Sequence, residues 1–298
     1  MILTEKDLLI LSTIAGQAAR EAGDMIASRF GRQNKVSQKA GGSSASQVVT
    51  EVDLKSESII KERMRQTLDE FDLGFLSEET PDDRSRLEKD YFWCIDPLDG
   101  TLSFVNQEPG SAVSIGLVTK AGKAEIGVAY DIANRDLYVA VSGKNVTMNG
   151  STFREKRSED KKLLFIASDH SFDSNIYIKE IKEHLKNLAE LMGLSGVHYL
   201  PAMGGVMNAI TLMRKQNGIY FKFPKKEEGG GSLWDYSAIT ALYHCLGLSA
   251  TDIHLGALEL NRADSLYMNH RGAIFATSLD LALAINTMFH SLTGNFKQ

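Results

Sequence analysis

The sequence has few cysteines, no excess of basic residues and no long apolar run. Its only two cysteines, Cys94 and Cys245, lie in apolar segments and are expected to be buried thiols instead of a disulfide or a metal site. The formal net charge of −5 over 298 residues is unlike that of a protein that binds a nucleic-acid polymer. Because no segment is apolar enough to span a bilayer and the first residues lack the basic start of a signal peptide, we expect a cytoplasmic protein without a membrane partner.

The spacing of apolar residues indicates an α/β fold whose two halves differ. Helical spacing recurs over residues 4–29, and a second helix is predicted from Thr50 to about Glu70. Strands are predicted at residues 74–77, 91–95, 112–119, 124–130, 136–141, 163–167, 197–200 and 218–223, and further helices at residues 175–192, 206–215 and 235–246. The middle strands form an antiparallel meander, whereas the later alternation favours a mostly parallel sheet. We expect residues 1–155 and 156–298 to be two halves of one compact unit.

Residues 93–101, Trp-Cys-Ile-Asp-Pro-Leu-Asp-Gly-Thr, are the most specific signal for chemistry in the chain. An apolar strand delivers Asp96 to its end, and Pro97 cannot extend a sheet ladder. We therefore expect a turn that aims Asp96, Asp99 and the Leu98 carbonyl at one point. A helix is predicted to begin at the last two residues, and its free amides suit a phosphate. Oxygen ligands beside a phosphate are typical of a magnesium site.

Acidic residues also stand at the ends of other predicted elements. Glu78 follows the strand at residues 74–77, Asp53 lies near the start of the second helix, and Asp235 opens a later helix. Taken alone, each of the two aspartates would be a helix cap. Packed together without a cation, all these carboxylates would repel one another and raise their own pKa values. Bound metal ions would remove that conflict, so the combination favours a metal centre.

The segments Val49–Asp53, Ser77–Glu79, Asp96–Thr101 and Trp234-Asp235, in this order, resemble the inositol monophosphatase superfamily. Its members are lithium-sensitive, magnesium-dependent phosphatases. The Asp-Pro-Leu-Asp-Gly-Thr segment is highly specific, and the others are individually modest. The resemblance implies an αβαβα five-layer sandwich, usually a homodimer, that hydrolyses a small soluble phosphate ester such as inositol 1-phosphate.

The resemblance also implies a role for each matching residue. The ligands of two Mg²⁺ ions would be Glu78, Asp96, the Leu98 carbonyl, Asp99 and Asp235. Asp96 would bridge the two ions. Glu78 and the Leu98 carbonyl would bind the first ion, and Asp99 and Asp235 would bind the second. Thr101 and Asp53 would orient the attacking water, so that these two and Glu78 are the implied catalytic residues. The amides of Gly100 and Thr101 would hold the phosphate.

Two branches of the superfamily remain open as to substrate. Glu228 lies seven residues before Asp235, where inositol phosphatases have an acid that accepts a hydrogen bond from a substrate hydroxyl, although it also fits a solvated charge run. Residues 167–171, which include His170, resemble a segment of the 3′(2′),5′-bisphosphate nucleotidases, which act on adenosine 3′,5′-bisphosphate. Leu102-Ser103-Phe104 matches the usual sequence of neither branch. A non-catalytic phosphate-binding protein on this fold is the third alternative, and the presence of every expected ligand argues against it.

A glycine- and serine-rich stretch at residues 40–46 precedes the Thr50–Asp53 segment. Its length and position favour a loop over a linker between domains. We expect a flexible flap beside the metal site, with Lys39 at its base, that becomes ordered when metal and ligand bind.

Overall fold

A computed structural model describes residues 2–31, 36–38, 48–154, 162–169 and 172–294, with the backbone alone at 36–38 and 48–50. The flap predicted at residues 40–46, Lys39 and His170 lie outside the described residues. So does the boundary between the two halves predicted at residue 155.

The first half contains a seven-stranded sheet. Its elements, in chain order, are α1 (Glu5–Ala27), β1 (Val36–Gln38), β2 (Val48–Thr50), α2 (Glu51–Glu70), β3 (Gly74–Ser77), β4 (Tyr91–Asp99), α3 (Thr101–Val105), β5 (Ala112–Thr119), β6 (Ala124–Asp131), β7 (Asp136–Val141), β8 (Thr147–Met148) and β9 (Ser151–Thr152). Strands β3 to β9 are neighbours in chain order, β3 and β4 pair in parallel, and the later pairs are antiparallel. The predicted meander and both predicted helices are therefore present.

The second half contains a mixed five-stranded sheet. Its elements are β10 (Leu163–Ala167), α4 (Ile178–Leu191), β11 (Gly196–Tyr199), α5 (Gly205–Met213), β12 (Gly218–Lys222), α6 (Leu233–Cys245), β13 (Ser249–Thr251), β14 (Ala273–Ala276) and α7 (Leu279–Gly294). The strand order is β11-β10-β12-β14-β13. The expected parallel pairing holds for β10 with β11 and β12, but β14 is antiparallel to both of its neighbours. Residues 252–272 contain no crossover helix, so the chain returns antiparallel from β13 to β14.

The two sheets and six of the helices form five layers. Helices α1 and α2 cover the outer face of the seven-stranded sheet, α5 and α6 lie between the sheets, and α4 and α7 cover the outer face of the five-stranded sheet. This arrangement confirms the αβαβα sandwich. One buried cluster between the sheets contains Phe92 and Cys94 from the first half and Tyr236 and Ile239 from the second. None of the described helices has the length and apolarity needed to cross a membrane.

Strand β4 continues to Asp99, which corrects the prediction that the strand ends before Pro97. Asp96 pairs with Ser114 and Asp99 pairs with Ala112, so β4 has one residue more than β5 between these two pairs. This β-bulge accommodates a proline, because its residues leave the regular ladder. It also turns the Leu98 side chain into the core beneath α1 and α2, while Asp96 and Asp99 both line a cavity.

Two glycines allow α6 to pack directly on the seven-stranded sheet. A Cβ atom on Gly127 of β6 would lie 2.1 Å from the Ala238 carbonyl oxygen, and one on Gly116 of β5 would lie 2.5 Å from Ser237 Oγ. A larger residue at either position requires the helix to move. The two glycines therefore set the distance between this sheet and α6, whose first turn carries Asp235.

Gly127→Ala should lower the free energy of unfolding by about 1–3 kcal/mol, because the added methyl group meets a backbone oxygen that cannot move alone. Urea denaturation measures this change. Gly16→Ala in α1 is the control, since a Cβ there meets Leu137 at an ordinary 3.4 Å and alanine favours a helix. Equal destabilisation by the two substitutions would contradict the proposed contact.

Candidate active site

Strand β4 and the first turn of α6 bring three aspartates together. One carboxylate oxygen of each of Asp96, Asp99 and Asp235 lies within 4.8 Å of the other two. Asp96 and Asp99 are buried and Asp235 is partly exposed. Together with Glu78, which follows β3, they line a cavity of about 330 Å³. The residues predicted from sequence that line this same cavity are Glu78, Asp96, Leu98, Asp99, Gly100, Thr101 and Asp235.

The crowding of these carboxylates raises their pKa values. Burial raises the pKa of Asp96 well above its usual range, and the charges of Glu78, Asp99 and Asp235 raise it further. Burial and the charge of Asp235 raise the pKa of Asp99 to about 8. The ionised carboxylates are thus held at a cost that a cation would relieve. Clustered, hard oxygen ligands of this kind fit a magnesium ion.

Asp99 also caps a helix. Its two carboxylate oxygens accept hydrogen bonds from the backbone amides of Gly205, at 3.0 Å, and Val206, at 2.9 Å, at the start of α5. A Cβ on Gly204 would lie 2.2 Å from Asp99 Oδ2, so only glycine permits this approach. Sequence reasoning missed this second role, for which the only signal was the Gly204-Gly205 pair before an apolar helix.

Asp235 is likewise both a capping residue and a member of the cluster. Its Oδ2 accepts a hydrogen bond of 2.7 Å from the Ser232 amide at the N-terminus of α6. Burial raises the pKa of Asp235, and the positive charge of Lys222 opposes that shift. The two interpretations of Asp235 from sequence, cap or metal ligand, are therefore compatible in one conformation.

Thr101 and Asp53 form a hydrogen-bonded pair at the edge of the aspartate cluster. Thr101 Oγ1 lies 3.0 Å from Asp53 Oδ1 and 3.1 Å from the Leu98 carbonyl oxygen. Asp53 is almost fully buried, with 2% of its surface exposed. The pair thus joins α2 to the first residue of the short helix α3, and it orients the Thr101 hydroxyl.

Helix α2 makes two further polar contacts that sequence reasoning missed. The Ser56 hydroxyl donates a buried hydrogen bond of 2.7 Å to the Pro97 carbonyl. The next residue is Glu57, and its carboxylate accepts hydrogen bonds of 3.0 Å from both Lys61 and Thr80, which follows Glu78 by two residues. Polar residues at helical spacing on the buried face of α2 were the available signal. The helix therefore contacts both acid-bearing turns through side chains.

Comparisons with known proteins identify the family to which this chain belongs. The model of the inositol monophosphatase family matches residues 8–290. The chain belongs to the inositol monophosphatase family. It is 32% identical to the Nus factor SuhB of Salmonella typhimurium over 165 residues. This aligned segment covers 55% of this chain and 60% of SuhB. It is 32% identical over 139 residues to the inositol-1-monophosphatase of Bacillus subtilis, which covers 47% of this chain and 50% of that enzyme.

The aligned part thus spans about half to 60% of the length of these relatives. Solved structures match over nearly the whole chain. The inositol monophosphatase of Anabaena superposes with a TM-score of 0.69 at 21% identity, covering 96% of this chain and 97% of that one. The SuhB protein of Bartonella henselae superposes with the same TM-score at 22% identity. At this identity, the structural matches establish a shared fold.

Part of the cavity lining in this family member differs from the substrate contacts that the sequence suggested. Glu228, predicted to contact substrate, is exposed and is absent from the described residues that line the cavity. Lys222, the last residue of β12, lines the wall instead, with its Nζ 2.7 Å from Asp169 Oδ2. The spacing relative to Asp235 did not indicate Lys222. A long loop connects β12 to α6, and the number of its residues does not give its path. The end of the strand predicted near Phe223 was the usable signal.

Without divalent cations, this family member should lose stability as the pH rises from about 4 to about 8. The pKa of Asp99 is about 8 in the folded state against an ordinary value of 3.8, so the folded protein keeps a proton that the unfolded chain has released. This contribution to stability is full below about pH 4 and is lost as the pH passes through 8. The melting temperature should therefore fall more steeply in the wild type than in Asp99→Asn, which cannot titrate. Equal slopes would show that Asp99 is not held in this way.

Proposed function

We propose that this protein is a magnesium-dependent phosphomonoesterase that hydrolyses a small soluble phosphate ester. One observation supports this most directly. Thr101, which is hydrogen-bonded to the buried Asp53, lines the same cavity as a cluster of carboxylates that fits metal ions. A hydroxyl oriented by a buried carboxylate, beside a concentration of oxygen ligands, suits the attack of water on a phosphate.

The magnesium ligands are proposed from the resemblance, and the proximity of Asp96, Asp99 and Asp235 supports part of the assignment. Glu78, Asp96 and the Leu98 carbonyl would hold one ion, and Asp96, Asp99 and Asp235 would hold a second. When bound, magnesium supplies positive charge that polarises the phosphate and stabilises the leaving oxygen. Its charge would also relieve the repulsion that raises the pKa of Asp96.

The protein's own groups position the water and the phosphate. The Asp53 carboxylate accepts a hydrogen bond of 3.0 Å from the Thr101 hydroxyl. The Thr101 oxygen can then accept a hydrogen bond from a water molecule and so orient that water. Asp53 is then placed to act as the base through the threonine. The backbone amides of Gly100 and Thr101, which line the cavity, are proposed to contact the phosphate.

Two classes of substrate are proposed, which differ in the leaving group. Inositol 1-phosphate follows from the family, with which the chain shares its matched motifs. Adenosine 3′,5′-bisphosphate, from which a nucleoside monophosphate would leave, is the second candidate, because Phe172, Phe223 and Pro224 line the cavity. Such apolar faces suit a flat base better than a ring that carries hydroxyls. We further propose that the protein is a homodimer, as the resemblance implies, and that it is located in the cytoplasm.

Purified protein should release orthophosphate from inositol 1-phosphate or adenosine 3′,5′-bisphosphate when magnesium is present and not when it is chelated. Asp96→Asn should reduce the rate about 100-fold or more, because its charge is central to the cluster. Asp280→Asn, an exposed substitution at the start of α7, is the matched control. No phosphate release from a panel of phosphorylated metabolites would favour the alternative of a non-catalytic binding protein. The same assay with lithium chloride against sodium chloride tests the implied sensitivity to lithium.

Substitution of Thr101 should separate its hydroxyl from its backbone. Thr101→Ser keeps a hydroxyl within reach of Asp53 and should retain much of the activity. Thr101→Val keeps the shape and should lose about 100-fold in kcat, because nothing orients the water. Steady-state kinetics give the comparison, and circular dichroism shows whether both variants fold. Similar activity in both would reduce Thr101 to a structural residue of α3.

A further inference from the structure

Two histidines pack against each other at the surface of the second half. His254 lies in the connection that follows β13, and His290 lies near the end of α7. Their ring centroids are 5.6 Å apart, with an angle of 43° between the ring planes, and both residues are exposed. The pair therefore joins two segments that are distant in the sequence and neighbours in the fold.

The protein holds the two rings in place without using their nitrogens. Both rings pack against Phe289, with centroid distances of 5.9 Å for His254 and 5.5 Å for His290. Asn286, one turn before His290, donates a hydrogen bond of 2.8 Å to the Ile253 carbonyl. The segment that carries His254 is thus attached to α7 independently of the imidazoles. A ligand that binds both rings would meet them already positioned, which lowers the entropy cost of binding.

The ring nitrogens of this pair differ from those of other histidines in the chain. His184, His244 and His270 each have a ring nitrogen near an oxygen atom, at 2.9, 3.4 and 2.6 Å respectively. Within the described part of the chain, His254 and His290 make ring contacts and have no hydrogen bond or ion pair to a side-chain nitrogen. Each neutral imidazole has one nitrogen that can accept, so the pair can bind one cation without breaking an existing bond.

The separation of the rings suits a shared metal ion. A zinc–nitrogen bond of about 2.0–2.1 Å places the centroid of a bound imidazole about 3.2 Å from the metal, so two rings on one ion are about 5–6 Å apart. The observed separation of 5.6 Å lies in this range. Among the described residues, the only group of three or more such ligands is the aspartate cluster, so water would complete the coordination at the histidines. Imidazole ligands favour Zn²⁺, Ni²⁺ or Cu²⁺ over Mg²⁺.

We propose that His254 and His290 bind a divalent first-row transition metal such as Zn²⁺, and that the bound ion links the segment after β13 to α7. Neither histidine lines the cavity, so this site is separate from the carboxylate cluster and does not depend on the proposed phosphomonoesterase function. The fold brings the two ligands together, and the ion therefore binds the folded chain in preference to the unfolded one. It should stabilise the protein in proportion to its concentration and affinity.

Nuclear magnetic resonance of the histidine rings tests the site directly. The protein, labelled with ¹⁵N at histidine and saturated with Mg²⁺, is titrated with Zn²⁺. The ring signals that are missing from His254→Asn and from His290→Gln should shift together in the wild type and saturate with one ion per chain. The signal of His198, which is exposed and lies outside the pair, is the internal control. Shifts at His254 and His290 no larger than that of His198 would overturn the proposal.

Calorimetry and thermal unfolding show whether one ion bridges both rings. With Mg²⁺ present throughout, each of His254→Asn and His290→Gln should weaken Zn²⁺ binding about 10-fold or more, because a single imidazole cannot chelate the ion. Zn²⁺ should raise the melting temperature of the wild type and of His198→Asn, and both pair variants should lose that rise. Equal rises in all four proteins would place the ion elsewhere and contradict the site. No measurement requires turnover, so the result is independent of whether the protein hydrolyses a phosphate ester.

Discussion

Mutual repulsion among buried carboxylates is the constraint on which the rest of this structure depends. Asp96, Asp99 and Asp235 have oxygens within 4.8 Å of one another, and burial raises the pKa of each. Such a cluster persists only when stronger interactions hold its members in place. Backbone amides at the starts of α5 and α6 bind two of them, and the ladder of β4 holds the backbone of the third. The positive ends of two helices thus partly offset the negative charge.

Helix α2 holds the acid-bearing turns relative to one another. It carries Asp53, which binds Thr101, and its next turn contacts the Pro97 carbonyl through Ser56 and Thr80 through Glu57. These contacts join the turn after β3 to the bulge of β4 through one rigid element. A site whose members come from separate strands and helices needs such a support, because small displacements of oxygen ligands change metal coordination and the position of the substrate. The outer layer of the fold is therefore part of the active-site scaffold.

The sequence predicted local features well and distant ones poorly. Helices α1 and α2 and the meander followed from apolar periodicity, which each segment carries by itself. The resemblance implied that Asp96, Asp99 and Asp235 lie together, and the repulsion that unpartnered acids would suffer indicated a cation beside them. The antiparallel return of β14 depends on an irregular connection whose path no local pattern specifies. The presence of Lys222 in the cavity wall was not predicted, and Glu228 is exposed outside the described lining residues, because spacing along the chain does not measure distance across a loop. The roles of the site residues stay predictions that the assays above address.

The bulge in β4 makes the length of residues 96–99 as important as their chemistry. Side chains alternate across a strand, so in a regular ladder Asp96 and Leu98 would share one face and Asp99 would point to the other. The additional residue reverses this order and places both aspartates on the side of the cavity. If the same four residues paired without the bulge, Leu98 would stand beside Asp96 and Asp99 would turn towards the core beneath α1 and α2, although every acidic residue remained in the chain. The way β4 pairs with β5 at this point, and not the identity of the residues alone, therefore decides whether both aspartates reach the cavity.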